Sequence, residues 1–328
     1  MIISKTPYRI SFFGGGTDYP DWYLKNSGQV ISVTINKYIY LTLRKLPHFF
    51  KHKFRVVWSK IETVRKIDDI NHPAIKGALK KYLKKDVGLE IHYDGDLPAR
   101  SGIGSSSVFA VGLLNALMHF KGFKINKIQL AKESIRFEQV YLKQTVGSQD
   151  QIAASFGGLN FINFKKNGSF EVSKVFNNKD CIEELLSNFV LVYTGVSRTA
   201  NYVAKTYVKN LNYSKKNLLI NIAEQTHQAK RLLINREFDS FGKLLHETWQ
   251  IKKQLSNKVT NHKINEIYNE GINSGALGGK LLGAGGGGFF LFYIKKNRLH
   301  NLKRRLKKLQ FISVKPSYEG SKIIFNNE

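Results

Sequence analysis

Cysteine is almost absent from this 328-residue chain. With Cys181 as the sole thiol, no internal disulfide can form and the paired-cysteine spacings of zinc scaffolds are missing, so both classes of stapled fold are excluded. No apolar run approaches the ~20 residues that cross a bilayer as a helix, and no membrane partner is expected. The N-terminal MIISKTPYRIS shows neither a charged leader before a long apolar stretch nor an Arg- and Ser-rich transit pattern. A cytoplasmic protein is expected. There are only six prolines and no repeat or low-complexity tract, and the length suggests about two domains of ordinary size.

Acidic residues are scarce too: 24 Asp and Glu stand against 52 Lys and Arg, a net charge of +28. Such an excess could serve nucleic acid or an anionic surface. However, 40 of the cations are Lys and only 12 are Arg, set among abundant Asn, Ile, Phe and Tyr, whereas phosphate-binding faces recruit Arg as well. Composition drift explains the charge better, and no specific nucleic-acid partner is expected. The most basic stretch, 298–308, puts Leu299, Leu302, Leu306 and Leu309 on one helical face, as in a solvated surface helix.

In the first half, β-like segments at 2–4, 9–12 and 30–43 are dense in β-branched and aromatic residues, and Val87, Leu89, Ile91 and Tyr93 alternate in a further strand. LPARSGIGSSS (97–107) then leads into Val108, Phe109, Val111, Leu113, Leu114, Leu117 and Met118, a buried-helix pattern closed by Gly122. Further helices are expected at 128–142 and from about Ser148. The chain turns polar over 177–188 before FVLVYTG (189–195) starts a new strand, which places a domain boundary between 185 and 186. Helical patterns follow at 216–234, 238–254 and 263–274, then a strand at 289–294, the basic helix and a terminal hairpin at 311–325. Strands and helices mixed without strict alternation predict two α+β domains.

Three segments are rich in small residues: SFFGGGTDYP (11–20), SGIGSSS (101–107) and GAGGGGFF (283–290). Missing side chains let backbone amides approach a ligand closely. In the second segment Ser105, Ser106 and Ser107 open a helix whose free N–H groups attract phosphate, and a serine hydroxyl there could ligate Mg²⁺. A plain N-cap would need one serine, not three after Gly102 and Gly104. Gly283, Gly285 and Gly288 satisfy the G-x-G-x-x-G spacing, but that fingerprint needs a strand before and a helix after. Here 271–282 reads as helical or loop-like and FFLFYI follows as a strand. A Walker A loop fails because Ser274 stands at the required first glycine and Leu281 replaces Ser/Thr, and no H-R-D or D-F-G triplet occurs.

In this order, the three segments resemble the motifs of the GHMP kinases, the small-molecule kinases named for galactokinase, homoserine kinase, mevalonate kinase and phosphomevalonate kinase. VGSQDQIAASFGGLNF (146–161) is similar to the family's segment bearing a catalytic aspartate. GGGTDYP, VGSQDQ and LVYTGVSR most resemble the members that act on a heptose 7-phosphate. The resemblance implies an N-terminal domain (1–185) like ribosomal protein S5 domain 2 and a ferredoxin-like C-terminal domain (186–328), with ATP and a small-molecule sugar phosphate between them. It assigns Asp150 to the acceptor hydroxyl's proton and Arg9 to the transferred phosphoryl and the aspartate. Ser106 (with Ser105 as the alternative) and Glu138 become Mg²⁺ ligands. Gly102, Ile103, Gly104, Ser105, Ser106 and Ser107 become the ATP phosphate cradle, with Trp58 as an adenine wall or else a core aromatic. Gly15, Gly16, Thr17, Asp18, Gly285 and Gly286 fall to the acceptor, although Asp18 could instead make an Asx-turn. Arg198 could grip an anionic substrate or lie on the surface. The chemistry agrees: phosphoryl transfer asks mainly for an amide-lined cradle, a metal ligand, a cation and one carboxylate near the attacking hydroxyl.

Overall fold

The structure, a computed structural model, describes residues 1–83, 87–196 and 200–327, with backbone only at 200 and 201. Its first sheet contains β1 (Ile2–Phe13), β2 (Gly28–Lys45), β3 (Phe54–Val57), β4 (Ile61–Val64), β5 (Leu89–Gly95), β6 (Leu159–Phe164) and β7 (Phe170–Lys174). Its second sheet contains β8 (Phe189–Tyr193), β9 (Gly278–Leu281), β10 (Phe289–Tyr293) and β11 (Gln310–Ser313); the last strand, β12 (Lys322–Asn326), returns to the first. The orders are β12-β1-β2-β5-β3-β4, with β6 and β7 branching from β2, and β11-β8-β10-β9. Among the described residues only β3 and β5 pair in parallel.

The hydrophobic pattern of β2 explains the branch. Val30, Ile31, Val33 and Ile35 are buried in an unbroken run, while Ile39, Leu41 and Leu43 alternate with half-buried Tyr40 and Thr42. A continuous run suits a strand covered on both faces and alternation one covered on a single face. The first stretch pairs with β6 and the second with β5. The segments expected at 2–4 and 9–12 are one strand, β1.

The helices are α1 (Pro20–Asn26), α2 (Pro73–Tyr82), α3 (Ser105–Phe120), α4 (Lys127–Arg136), α5 (Gln149–Phe156), α6 (Lys179–Ser187), α7 (Ala200–Lys205), α8 (Lys216–Ile234), α9 (Phe238–Lys253), α10 (His262–Asn273) and α11 (Leu299–Arg305). Every residue from Ser107 to Leu117 is buried, which makes α3 the central helix, and it packs on β1 and β2. The helix expected over 128–142 is α4 continued by a wider π-helical turn, Phe137–Tyr141. The polar stretch near 177–188 is α6, held down by Ile182, Leu185 and Leu186. Among the described residues no helix is long and apolar enough to cross a membrane.

Two expectations are corrected. No terminal hairpin forms at 311–325, because β11 pairs with β8 and β12 with β1. The segment between them is tied along β2 through Asn36 N–H to Lys315 C=O (2.9 Å) and Ser317 N–H to Thr34 C=O (2.9 Å), which delivers β12 to the free edge of β1. Residues 278–281 are a strand rather than helix or loop: glycine carries no β signal, and pairing with β10 decides the outcome. The glycine loop of 283–288 therefore joins two strands, which still excludes the dinucleotide fingerprint.

The sheets meet on aromatic rings. Phe12 of β1 lies 5.1 Å from Phe189 of β8 and 5.4 Å from Phe241 of α9, and Phe13 lies 4.9 Å from Phe241. All four rings are buried, so the apolar end of the first glycine motif is also the joint between the sheets. Truncating Phe241 to Ala should cost about 3–5 kcal/mol of equilibrium stability in denaturant unfolding, the range for an aromatic-to-Ala cavity. A loss below about 1 kcal/mol would show that the joint is not tightly packed.

Candidate active site

Four consecutive residues at the start of α5 reach four different partners. The Ser148 amide donates to the Asp18 carbonyl (2.9 Å), and Gln149 Nε2 donates to Asp18 Oδ2 (3.0 Å). Asp150 receives a fork from Arg9, Nε to Oδ1 at 2.7 Å and Nη2 to Oδ2 at 2.6 Å. Gln151 Nε2 donates to Glu138 Oε2 (2.6 Å) and to Ser107 Oγ (3.2 Å). The remaining nitrogen of the guanidinium, Arg9 Nη1, donates to the Gly102 carbonyl at 2.8 Å. Arg9 thus joins the α5 carboxylate to the second glycine loop from a buried position on β1.

That loop ends at Gly104, the N-cap of α3, with φ of 75° and no side chain capping the first-turn amides. A Cβ at Gly104 would stand 3.1 Å from Asp150 Oδ2 and 3.2 Å from Arg9 Cζ, so only glycine gives this turn without displacing the ion pair. The three serines face three ways. Ser105 Oγ accepts from the Arg100 amide (3.0 Å), Ser106 Oγ donates to Glu138 Oε1 (3.3 Å), and Ser107 takes the bond from Gln151. Ser106, not Ser105, faces the carboxylate, and Ile103 is fully buried beneath the loop.

Glu138 sits on the π-helical turn after α4, a distortion frequent at functional sites. It is buried, and burial pushes its carboxyl up to about 7 against the opposing bonds from Ser107, Gln151 and Ser106. A buried carboxylate with only neutral partners is costly. Paired hard oxygens from Ser106 and Glu138, beside amides able to hold phosphate, fit Mg²⁺, which takes few protein ligands and fills its octahedron with water and phosphate oxygens.

The first glycine turn is tightly bonded. Asp18 Oδ1 accepts from the Gly16 amide (2.9 Å), an Asx-type contact, while burial holds its carboxyl above the ordinary range. The Thr17 hydroxyl donates to the Gly14 carbonyl (2.8 Å). A Cβ at Gly15 would meet nothing nearer than 3.8 Å, from Gln149 Nε2 and Ser11 Oγ. Nearby, Ser11 Oγ and Gln149 Oε1 are buried without a hydrogen-bond partner.

In the third glycine loop the small residues admit backbone. A Cβ at Gly283 would lie 2.7 Å from the Cα of Gly102, so the second and third loops cross in direct contact. The Gly286 amide already donates to the Val259 carbonyl (2.8 Å), and Gly285 lies against Val259. Trp58 Nε1 donates to Glu62 Oε1 (2.9 Å), and the ring stands edge-on to His72 at 4.9 Å, which lies 4.9 Å from Phe109 of α3. Half-buried Trp58 ends an aromatic row that starts one turn past the second glycine loop. Arg198 lies outside the described residues.

Two cations escaped the sequence reading. Lys280 Nζ donates to the Phe12 carbonyl (2.8 Å), and Lys252 Nζ donates to the carbonyls of Leu281 (2.8 Å) and Gly283 (2.6 Å). Both are buried; burial and the Arg9 charge push Lys280 down to about 7, and burial with the charges of Lys280 and Arg9 lowers Lys252 well below the usual lysine range. A signal existed. Lys252 continues the stripe Phe238, Phe241, Leu245, Trp249 at helical spacing, and Lys280 interrupts an otherwise apolar and glycine segment.

The chain is similar to known proteins over most of its length. Residues 73–158 match the model of the GHMP kinases N terminal domain and residues 229–310 that of the GHMP kinases C terminal region, together about half of the chain. D-glycero-alpha-D-manno-heptose 7-phosphate kinase of Campylobacter jejuni is 29% identical over 323 residues, covering 94% of each chain. Galactokinase of Thermotoga maritima is 23% identical over 342 residues, covering 92% of each. The crystal structure of a D-glycero-D-manno-heptose 1-phosphate kinase from Bacteroides thetaiotaomicron superposes with a TM-score of 0.81 over 100% of both chains at 22% identity, a likeness of fold. Motif order, two-domain architecture and full-length relatives lead to one assignment: the chain belongs to the GHMP kinases and is an ATP-dependent kinase.

Proposed function

We propose that this kinase phosphorylates the anomeric hydroxyl of D-glycero-D-manno-heptose 7-phosphate, giving the 1,7-bisphosphate, in the cytoplasm, on a route to nucleotide-activated heptose for surface polysaccharide. The observation that carries the catalytic part is the Arg9–Asp150 fork set against the second glycine loop. In this reading Asp150 takes the proton of the acceptor hydroxyl, and Arg9 orients that carboxylate while its charge faces the transferred phosphoryl. The first-turn amides of α3, with Gly102, Ile103, Gly104, Ser105, Ser106 and Ser107, hold the ATP phosphates, and Trp58 borders the adenine. Ser106 and Glu138 hold Mg²⁺, which neutralises phosphate charge when bound. The unit 1–185 supplies these groups, and the unit 186–328 closes over them.

The acceptor assignment rests on the first turn and on the Campylobacter relative. Galactokinases carry Gly-Glu-His-Thr-Asp-Tyr where this chain has Gly14-Gly15-Gly16-Thr17-Asp18-Tyr19. Removing that glutamate relieves a repulsion of roughly 4 kcal/mol per unit charge for a phosphate at ~4 Å and an effective dielectric near 20. With glycine at 15 and 16 no side chain projects from this turn toward the acceptor, which supports a sugar longer than six carbons. Gly15, Gly16, Thr17, Asp18, Gly285 and Gly286 border the acceptor, and Arg198 is the proposed grip on its phosphate.

Asp150→Asn should lose on the order of 10²- to 10⁴-fold in kcat, the range for a positioned acid–base group, with thermal unfolding as the control. Near-wild-type turnover would make Asp150 a structural residue. Excess chelator should abolish turnover and added Mg²⁺ should restore it; full activity under chelation removes Ser106 and Glu138 as metal ligands. Across the heptose 7-phosphate, the unphosphorylated heptose, galactose and fucose, kcat/KM should be highest for the first. An equal or better neutral sugar would instead favour the galactokinase-like alternative.

A further inference from the structure

Of the 52 Lys and Arg in the sequence, the described residues bury only three: Arg9, Lys252 and Lys280. All three lie among the glycine motifs, and each donates to main-chain carbonyls there. Lys280 holds Phe12, two residues before Gly14 of the first motif; Arg9 holds Gly102 in the second; Lys252 holds Leu281 and Gly283 at the entry of the third. Lys280 also crosses between sheets, since it stands on β9 and its acceptor is on β1.

These cations repel one another: Lys252 feels Lys280 and Arg9, and Lys280 feels Arg9. Taking an ammonium out of water is costly, and placing three like charges together adds to that cost. A carbonyl can be satisfied by a neutral donor, so hydrogen bonding alone does not account for lysine at both positions. The opposing charges are Asp18, which attracts both lysines, and Asp150, which is already forked to Arg9. What lysine adds is reach, since each amine crosses from its own element to main-chain carbonyls of another, Lys280 from β9 to β1 and Lys252 from α9 to the entry of the third glycine loop.

We propose that Lys252 and Lys280 are positioning residues for phosphoryl transfer, which fix the third and first glycine motifs in register with Arg9. Neither lysine touches the Arg9–Asp150 pair. They act through the loops they hold: Gly283 crosses Gly102, whose carbonyl is the Arg9 acceptor, and Phe12 leads into the turn that ends at Asp18. The proposal rests on the reading of Arg9 and Asp150 as the reacting centre.

Lys252→Met and Lys280→Met keep the aliphatic stem and remove the ammonium. Assayed on whichever acceptor the wild-type enzyme turns over, each should lower kcat per folded molecule about 10- to 100-fold, the scale of a small misplacement of reacting groups, and leave the KM for ATP within about threefold. Lys→Arg at either position, which retains charge and donors, should retain about tenfold more kcat than the Met variant. Folded Met variants with wild-type kcat, or losses that vanish when rates are corrected for the folded fraction, would overturn the proposal. If the Met variants do not fold, Gln variants are judged by the same two criteria. A wild type active only on another acceptor defeats the heptose assignment alone, whereas an unimpaired Asp150→Asn enzyme defeats the reacting centre on which the proposal stands.

Discussion

The fork between Arg9 and Asp150 is the interaction on which the rest of the site depends. It joins residues 141 positions apart, on β1 and α5, and the third donor of the same guanidinium reaches the second glycine loop. A planar guanidinium can do this because its donors lie in a fixed plane; the three donors of a lysine radiate from one nitrogen and offer no such two-pronged grip on a carboxylate. As a source of stability the pair is poor, since taking both charges out of water offsets most of their attraction. Its value is directional. With both carboxylate oxygens held by Arg9, the orientation of Asp150 is fixed by β1, and its distance from the second glycine loop is fixed by the bond to Gly102.

Several features that look separate follow from that constraint. Gly104 is favoured as glycine because its φ is 75° and a Cβ there would press on the ion pair at 3.1 Å. The first turn of α5 must sit where its neighbours reach Asp18 on one side and Glu138 on the other, and the π-helical turn brings Glu138 back toward Ser106. Apolar packing supplies the rigidity: Phe12 and Phe13 lock the end of β1 into both sheets three and four residues beyond Arg9. A dry, packed wall also lowers the local dielectric, which strengthens every charge interaction within the seam.

What the sequence reveals here is mostly local. Glycine turns, the serine-rich start of α3, the Gly122 stop and the helical stripes of α8, α9 and α10 are written in neighbouring residues, and the structure has them within a residue or two. Pairing across distance is not written locally. The pattern of β12 looks the same whether it folds back on β11 or crosses to β1, and Gly278 and Gly279 give no hint of a strand until β10 lies beside them. The third glycine loop is ambiguous for a related reason: glycine permits close approach without saying what approaches, and here part of what approaches is the backbone of residues 101, 102, 196 and 259. Lys252 and Lys280 are two lysines in forty, distinguishable only by the apolar company they keep.

That last contrast bears on how the charge of +28 should be understood. Most of these cations lie at the surface, where charges farther apart than a Debye length of about 8 Å at physiological salt are largely screened. Arg9, Lys252 and Lys280 lie where neither water nor salt screens them effectively, beside the two carboxylates that frame the seam. Whatever charge these buried groups carry therefore acts on the Arg9–Asp150 pair with less screening than the surface excess does. The composition that first suggests a nucleic-acid partner is thus nearly silent about the chemistry, and the positions of three residues within it are not.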